Sequence, residues 1–375
     1  ILTAAGRAPG LIGTIQTRVG DHVSPGIRTT PESLDLQKLL AEMRAAGADS
    51  IAMEVTSHAL ALERVEGITF VSASFTNLSQ DHLDFHQDME DYFEAKARLF
   101  TPDHLISGAT NLDDPYGRRL MEVSEVPCIG FGFARDAQVR AENVTLGQRG
   151  SDFIIVIEDV HGITEKIPVA TGLVGSFNVS NCLAAAATAL LAGIEPDAIG
   201  RGLQSLDAIP GRFESIDMGQ PFGVVVDYAH TPDSLDNVLR AARGLVRDGG
   251  RVIVAFGCGG DRDRRKRPLM GIAAARLADY VVVTSDNPRS EEPTAILEEI
   301  LEGVDAGRAG GADAVFVDRR EAIVHVLGEA KDGDVVVIAG KGHETGQQFA
   351  DVTIPFDDRE VAREVLVELG RGAGG

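Results

Sequence analysis

Tyr280-Val281-Val282-Val283-Thr284-Ser285-Asp286-Asn287-Pro288-Arg289 joins a short, continuous β-branched run to a polar tetrapeptide. A run of that kind, apolar at successive positions, reads as a parallel strand buried on both faces, and open α/β sheets collect ligands where such strands end. Pro288 stops the ladder because it has no amide hydrogen to donate. The residues around it suit a zwitterion: Arg289 for a carboxylate, the oxygens of Asp286 and Asn287 for an ammonium group. That is the chemistry of binding a free amino acid; the alternative is a strand-terminating turn with a solvated arginine.

Similar apolar runs at residues 224–227, 252–256 and 335–339 alternate with helical stretches at 234–246, 270–277 and 319–329. This alternation predicts an open, doubly wound, Rossmann-like sheet with polar loops at its strand ends. Ile209-Pro210-Gly211 is a turn signal that divides it from the preceding region, so residues 1–208 and 209–375 are expected to form two domains. In the first, strands are expected at 11–16, 50–55 and 70–76, and helices at 89–100, 178–192 and 198–206. Thr30-Pro31-Glu32 is read as the capped start of a helix reaching Gly47. Together these describe an α/β domain with a mostly parallel sheet, carrying a small antiparallel insertion between residues 139 and 169. Residues 1–5 read as the end of a helix capped near Gly6, so the chain starts within an element, and the Gly-rich tail from Gly370 is expected to be disordered.

With 375 residues, 44% hydrophobic and 25% charged, the chain has the composition of a two-domain globular protein. A formal charge of -22 argues against a nucleic-acid partner, and no apolar run is long enough for membrane insertion. Cys128, Cys182 and Cys258 are widely spaced, which fits a reducing cytoplasm and thiols that pack as small apolar groups. Against the acidic background, Arg262, Arg264, Arg265, Lys266 and Arg267 form a basic island, either a solvated loop or an anion site.

Glu54 ends one strand of the first domain, His82 lies in the next polar loop, and Lys96 falls on the following helix. Glu54 and His82 can both ligate a metal, although a hard ion such as Mg2+ prefers oxygen. A lysine that loses its proton can take up carbon dioxide to form a carbamate, which supplies such an oxygen. Equally, Lys96 can be a surface partner of Glu94 or Asp91.

An ordered series of motifs closely resembles the Mur ligase family over nearly the whole chain. It runs Thr29-Thr30-Pro31-Glu32, Glu54-Val55-Thr56-Ser57-His58-Ala59-Leu60, Asn77-Leu78-Ser79-Gln80-Asp81-His82-Leu83-Asp84, Glu94-Ala95-Lys96 and Gly175-Ser176-Phe177-Asn178. It continues with Gly211-Arg212-Phe213-Glu214, Asp227-Tyr228-Ala229-His230-Thr231-Pro232, Gly257-Cys258-Gly259-Gly260-Asp261-Arg262-Asp263, the opening tetrapeptide and Gly340-Lys341-Gly342-His343-Glu344. Each motif is weak alone; the ordered set is specific. The resemblance implies an ATP-dependent amide ligase that adds meso-diaminopimelate to a UDP-muramoyl dipeptide through an acyl phosphate, as a cytoplasmic monomer.

By position, the resemblance makes Lys96 the carbamylated lysine and Glu54 and His82 residues of the Mg2+ site. Thr29, Thr30, Thr56 and Arg64 match positions that hold the UDP-muramoyl dipeptide. Thr56 stands where relatives often have Ser, which keeps the hydroxyl, and Leu62 stands where some have a substrate-binding Gln. Asn178 and Asn181 match positions near the adenine of ATP, Arg212 one reaching the phosphates, and Asp227 one binding the ribose. Arg262, Asp286, Asn287, Pro288, Arg289, Gly340 and Glu344 match the surroundings of diaminopimelate. That substrate has a second carboxylate which lysine lacks, so a second guanidinium would be left unpaired by lysine. Closure of the two domains is expected to bring amine and acyl phosphate together and exclude water. Rival readings are a lysine-adding relative, a folylpolyglutamate synthetase-like ligase and a non-catalytic precursor-binding remnant.

The family's Gly-rich phosphate loop does not occur in the 375 residues, and Gly340-Lys341-Gly342 does not supply it. The sequence thus reads as truncated at the N-terminus, and the isolated 375 residues are expected to lack ligase activity. ATP-dependent diaminopimelate addition by this chain alone would overturn that expectation.

Overall fold

The computed structural model describes residues 1–26, 28–79, 85–158, 161–247 and 249–372. Two compact units emerge: Ile1–Thr145, Asp152–Thr171 and Phe177–Leu206 form the first, and Leu146–Ser151, Gly172–Ser176 and Asp207–Gly375 the second.

The second unit is built on a six-stranded sheet in the order Glu214–Ser215, Gly223–Asp227, Val335–Ala339, Val252–Phe256, Tyr280–Thr284, Ala314–Phe316. All neighbours are parallel except the edge strand Glu214–Ser215, which runs antiparallel. The three central runs are buried at every position but Tyr280, which explains why they are unbroken in Val and Ile instead of alternating. Helices cover both faces, and each fully buried Val or Ile contributes about 1.5–3 kcal/mol. One apolar cluster joins the sheet residues Val226, Ile253, Val282 and Ile338 to Ile323, Val326, Val365 and Leu366 of two helices.

Helix starts in this unit follow the capping chemistry of the sequence. Thr231 and Ser234 form a reciprocal capping box before Pro232–Arg243, and the Asp318 carboxylate accepts from the backbone N–H groups of Arg320 and Glu321 to start Arg319–Glu329. The helix expected at 270–277 begins earlier, at Lys266, because Pro268 is tolerated in a first turn. Helices Pro293–Gly307 and Asp358–Gly372 and the hairpin Gly346–Phe349/Val352–Pro355 join the expected elements. Gly370 therefore continues a helix instead of opening a disordered tail.

The first unit contains two sheets. Pro9–Ile12 pairs parallel with Ser50–Met53 and antiparallel with Gln16–Val19, which pairs in turn with His22–Pro25. The single strand expected at 11–16 is thus divided, with Gly13-Thr14-Ile15 turning between two short strands. The other sheet runs Thr164–Thr171, Gly150–Glu158, Val139–Gly147, Cys128–Gly132, Leu105–Asn111, Phe70–Phe75. Its last four strands are parallel, so the expected insertion extends this sheet instead of standing apart. The chain bears out an α/β fold whose two six-stranded sheets are mostly parallel, while the four-stranded sheet has one parallel pairing and two antiparallel ones. The helix expected from Thr30 begins at Ser33, with Glu32 at its N-cap, because the Thr30 hydroxyl bonds to a distant strand end.

Much of the basic island is absorbed by this architecture. Arg267, 0% exposed, donates to Glu291 and Glu299, while Arg264 pairs with Glu299 and Arg265 with Asp263. The hydrogen bonds from Arg267 hold the Glu291 carboxyl down to about 2, from an ordinary 4.5. A carboxyl depressed in the folded state adds stability that is fully present above 4.5 and is lost as pH falls toward about 2. Urea melts at pH 6 and pH 3 should show a smaller acid-induced loss of stability in Glu291→Gln than in the parent; equal losses would contradict the pairing.

Candidate functional site

The sequence candidates fall into separate groups, described unit by unit. In the second unit, the tetrapeptide leaves Thr284 at the carboxyl edge of the sheet, and Asp286, Asn287 and Pro288 are buried. It is a wall of fixed polar atoms and not a solvated turn. Asn287 Oδ1 accepts from the Gln348 N–H at 2.9 Å, and its amide donates to Glu344 Oε2 at 2.8 Å. Arg289 takes a left-handed φ of +52°, held by its N–H to Gln348 O and its carbonyl from the Ala350 N–H. Its Nη1 donates to Gly260 O at 2.6 Å, which leaves its remaining N–H groups to other acceptors.

Arg262 lies beside it. A Cβ added at Gly259 would sit 2.9 Å from Arg289 Nη1 and 3.8 Å from Arg262 Cγ, so both side chains flank the glycine. Arg262 donates to the Asp261 carbonyl, unlike the acid-paired arginines that follow it. Gly340, at φ +117°, begins the loop after Val335–Ala339, two strands away in the sheet, and a Cβ there would come within 2.6 Å of Asp286 Oδ2. Asp286, Asn287, Pro288, Arg289, Arg262, Gly340 and Glu344 are thereby brought together. Lys341, given no role of its own by the sequence motif Gly340-Lys341-Gly342-His343-Glu344, is 0% exposed and donates to Asn287 Oδ1 and Glu344 Oε2.

Asp227, also at a strand end, accepts from the N–H groups of Phe213 and Ala229, both at 2.7 Å. Burial raises its carboxyl from 3.8, opposed by those bonds and the Arg212 charge. The Arg212 guanidinium lies 5.0 Å from the centre of the Tyr228 ring. Asp227, Arg212 and Tyr228 thus form one polar corner.

In the first unit, Glu54 Oε2 accepts from the Thr14 hydroxyl at 2.6 Å, and Thr14 Oγ1 lies 2.9 Å from Thr29 Oγ1. Thr30 Oγ1 donates to the Glu54 carbonyl and accepts from the Thr56 N–H. The Thr56 hydroxyl caps the helix Ser57–Ala61 by accepting from Ala59, and Arg64 donates to the Thr30 carbonyl and pairs with Glu32 at 2.7 Å. Glu54, Thr29, Thr30, Thr56 and Arg64 therefore share one network, to which Thr14 adds a member that no local pattern announced.

Lys96 lies half-buried on Met89–Ala97, with its Nζ 5.2 Å from the centre of the Tyr92 ring. Asp91, offered as its partner, faces the buried His86, whose other nitrogen lies 2.9 Å from Ser57 Oγ. His82 and the rest of residues 80–84 lie outside the described residues. Asn178, 1% exposed, sits inside the helix Ser176–Leu191 and not at its cap, and Asn181 Nδ2 donates to its Oδ1 at 3.3 Å. Burial pushes the Cys182 and Cys258 thiols up to about 12, as expected of packing groups and not of nucleophiles. Among the described residues, no helix is long and apolar enough to cross a membrane.

Residues 1–189 match the Mur ligase middle domain, and residues 211–342 the Mur ligase, glutamate ligase domain. A UDP-N-acetylmuramoyl-L-alanyl-D-glutamate--2,6-diaminopimelate ligase of Streptomyces avermitilis is 49% identical over 96% of this chain and 71% of its own length. The protein of that name from Solibacter usitatus is 48% identical over 99% of this chain and 74% of its length. A solved structure of a ligase of the same name aligns with a TM-score of 0.67 and 34% identity, covering 98% of this chain and 74% of the other. A folylpolyglutamate synthase from Thermotoga maritima aligns with a TM-score of 0.63 at 14% identity, over 90% of this chain and 80% of its own, a likeness of fold alone.

Proposed function

The chain belongs to the Mur ligase family, and from that premise we propose that it is the ATP-dependent ligase adding meso-diaminopimelate to UDP-N-acetylmuramoyl-L-alanyl-D-glutamate, in the cytoplasm, for peptidoglycan. The observation that carries this reading is near-half identity, along almost the whole chain, to relatives bearing that name. The reaction has two stages: the glutamyl γ-carboxylate attacks the ATP γ-phosphate and expels ADP, then the diaminopimelate amine attacks the acyl carbon and expels phosphate.

For the incoming amino acid, Arg289 and Arg262 neutralise carboxylates while Asp286 and Glu344 face an ammonium group. Asn287 and Pro288 hold this wall in shape, and Gly340 lets the second loop approach it. Lysine would leave one guanidinium without its partner, which is the physical ground for preferring diaminopimelate. For ATP, Asn178 and Asn181 serve the adenine, Asp227 the ribose and Arg212 the phosphates. Thr29, Thr30, Thr56 and Arg64 serve the UDP-muramoyl dipeptide. Because the Thr30 and Thr56 hydroxyls already bond within the protein, they act largely by fixing the backbone around the acceptor.

Glu54 fits a magnesium site: its carboxylate is exposed, is a hard oxygen donor, and is steadied at one oxygen by Thr14. Lys96 as an ammonium has no lone pair to offer, so it would join Glu54 and His82 only as a carbamate formed with carbon dioxide. Bound Mg2+ supplies neutralisation of the charge that develops on the transferred phosphoryl group.

In the gene product that carries these residues, phosphate release should require ATP, Mg2+, the UDP-muramoyl dipeptide and diaminopimelate, with lysine at least ~100-fold poorer in kcat/KM. Arg289→Ala should lose most of that discrimination. A preference for lysine, or unchanged selectivity in the variant, would overturn the assignment. Labelling with 13C bicarbonate should give a carbamate carbon resonance that Lys96→Ala removes; a parent protein without that resonance would exclude the carbamate.

A further inference from the structure

Lys341 is an interior cation whose partners are all members of the proposed amino-acid pocket. It is 0% exposed; its Nζ lies 3.0 Å from Asn287 Oδ1, 2.8 Å from Glu344 Oε2 and 3.9 Å from Asp286 Oδ1. Glu344 Oε2 also accepts the Asn287 amide, and Asn287 Oδ1 also accepts the Gln348 N–H. One ammonium group therefore ties the tetrapeptide, the loop after Val335–Ala339 and the hairpin strand Gly346–Phe349 into a single polar lattice.

We propose that Lys341 is a positioning residue that sets both the geometry and the charge of this pocket, and through the charge helps select a diacid over lysine. The inference rests on the diaminopimelate reading above. A buried ammonium is tolerated only where acceptors surround it, and a buried carboxylate (Asp286) facing a second, partly exposed one (Glu344) across adjacent loops is eased where a cation lies between them. Lys341 meets both conditions for Asp286 and Glu344. Its removal shifts the pocket by one unit toward negative charge. With the attacking amine neutral, diaminopimelate carries two carboxylates and one ammonium, whereas lysine carries one of each. The shift therefore penalises diaminopimelate more. Arg319 cannot substitute, since Asp358 binds it at two points, both at 2.7 Å.

The test uses the gene product carrying these residues and reads kcat/KM for diaminopimelate and for lysine, with KM for ATP and for the UDP-muramoyl dipeptide as controls. Lys341→Met should raise KM for diaminopimelate about 10- to 100-fold, the effect of a lost charge-assisted hydrogen bond, and lower the diaminopimelate-to-lysine preference. The two control KM values should stay within about twofold, a split that general loosening of the fold would not produce. Lys341→Met/Glu344→Gln, which removes one charge of each sign, should recover preference even though both kcat/KM values are lower. If Lys341→Met does not fold, the comparison is between Glu344→Gln and the double variant, and the former should favour the diacid more. Unchanged preference in Lys341→Met, or equal preference in Glu344→Gln and the double variant, would overturn the role of Lys341. A parent enzyme that does not use diaminopimelate would instead overturn the functional reading on which the inference rests.

Discussion

Arg319 and Asp358 are 1% and 0% exposed at their side chains, and on their pairing depends the carboxyl edge of the second unit's sheet. Adjacent loops leave the sheet after Thr284 and Ala339, where carbonyl groups lose the regular ladder partners that they would have within a strand. Arg319 supplies donors at that point, to Ser285 O at 3.1 Å and Ala339 O at 2.9 Å, while its other N–H groups meet Asp358. A planar guanidinium with five donors can do this; a lysine could not reach the same set of acceptors in a fixed geometry. Breaking such a pair from one side costs about 3–5 kcal/mol, because an uncompensated charge stays buried. Asp286 and Gly340 follow the two bonded carbonyls directly, so the proposed amino-acid site begins where this interaction ends.

Legibility in the sequence followed burial. Val252–Phe256, Tyr280–Thr284 and Val335–Ala339 are central strands covered on both faces, and their composition states this without tertiary help. Glu214–Ser215 and Ala314–Phe316 close the same sheet with two and three residues, too short to show any period. Capping signals had the converse weakness. Thr30-Pro31-Glu32 has the composition of a helix start, yet the Thr30 hydroxyl bonds to Glu54 O and Thr56 N, more than 20 residues away. Local propensity loses there to long-range hydrogen bonding within the network around Glu54.

The candidate site divides along the same line. Asp286-Asn287-Pro288-Arg289 could be singled out because unlike polar groups stand together at the end of an apolar run. Lys341 and Thr14 could not, since each acts on a partner far along the chain: Lys341 on Asn287, 54 residues away, and Thr14 on Glu54, 40 residues away. A buried side chain that orients another is defined by its contact, and spacing in a single sequence does not encode it.

The basic island shows how charge count and charge placement separate. With 57 acidic against 35 basic residues, most arginines here can find a carboxylate, and Arg264, Arg265 and Arg267 do. Arg262 and Arg289 instead donate to backbone carbonyls, of Asp261 and Gly260, on either side of a glycine that leaves room between them. A carbonyl orients a guanidinium without neutralising it, so the positive charge remains available to an anion that arrives later. In an acidic protein this arrangement keeps two cations from the surrounding carboxylates by holding their geometry with dipoles. Under the proposed function, a two-carboxylate ligand would gain attraction that the protein's own acids have not already consumed.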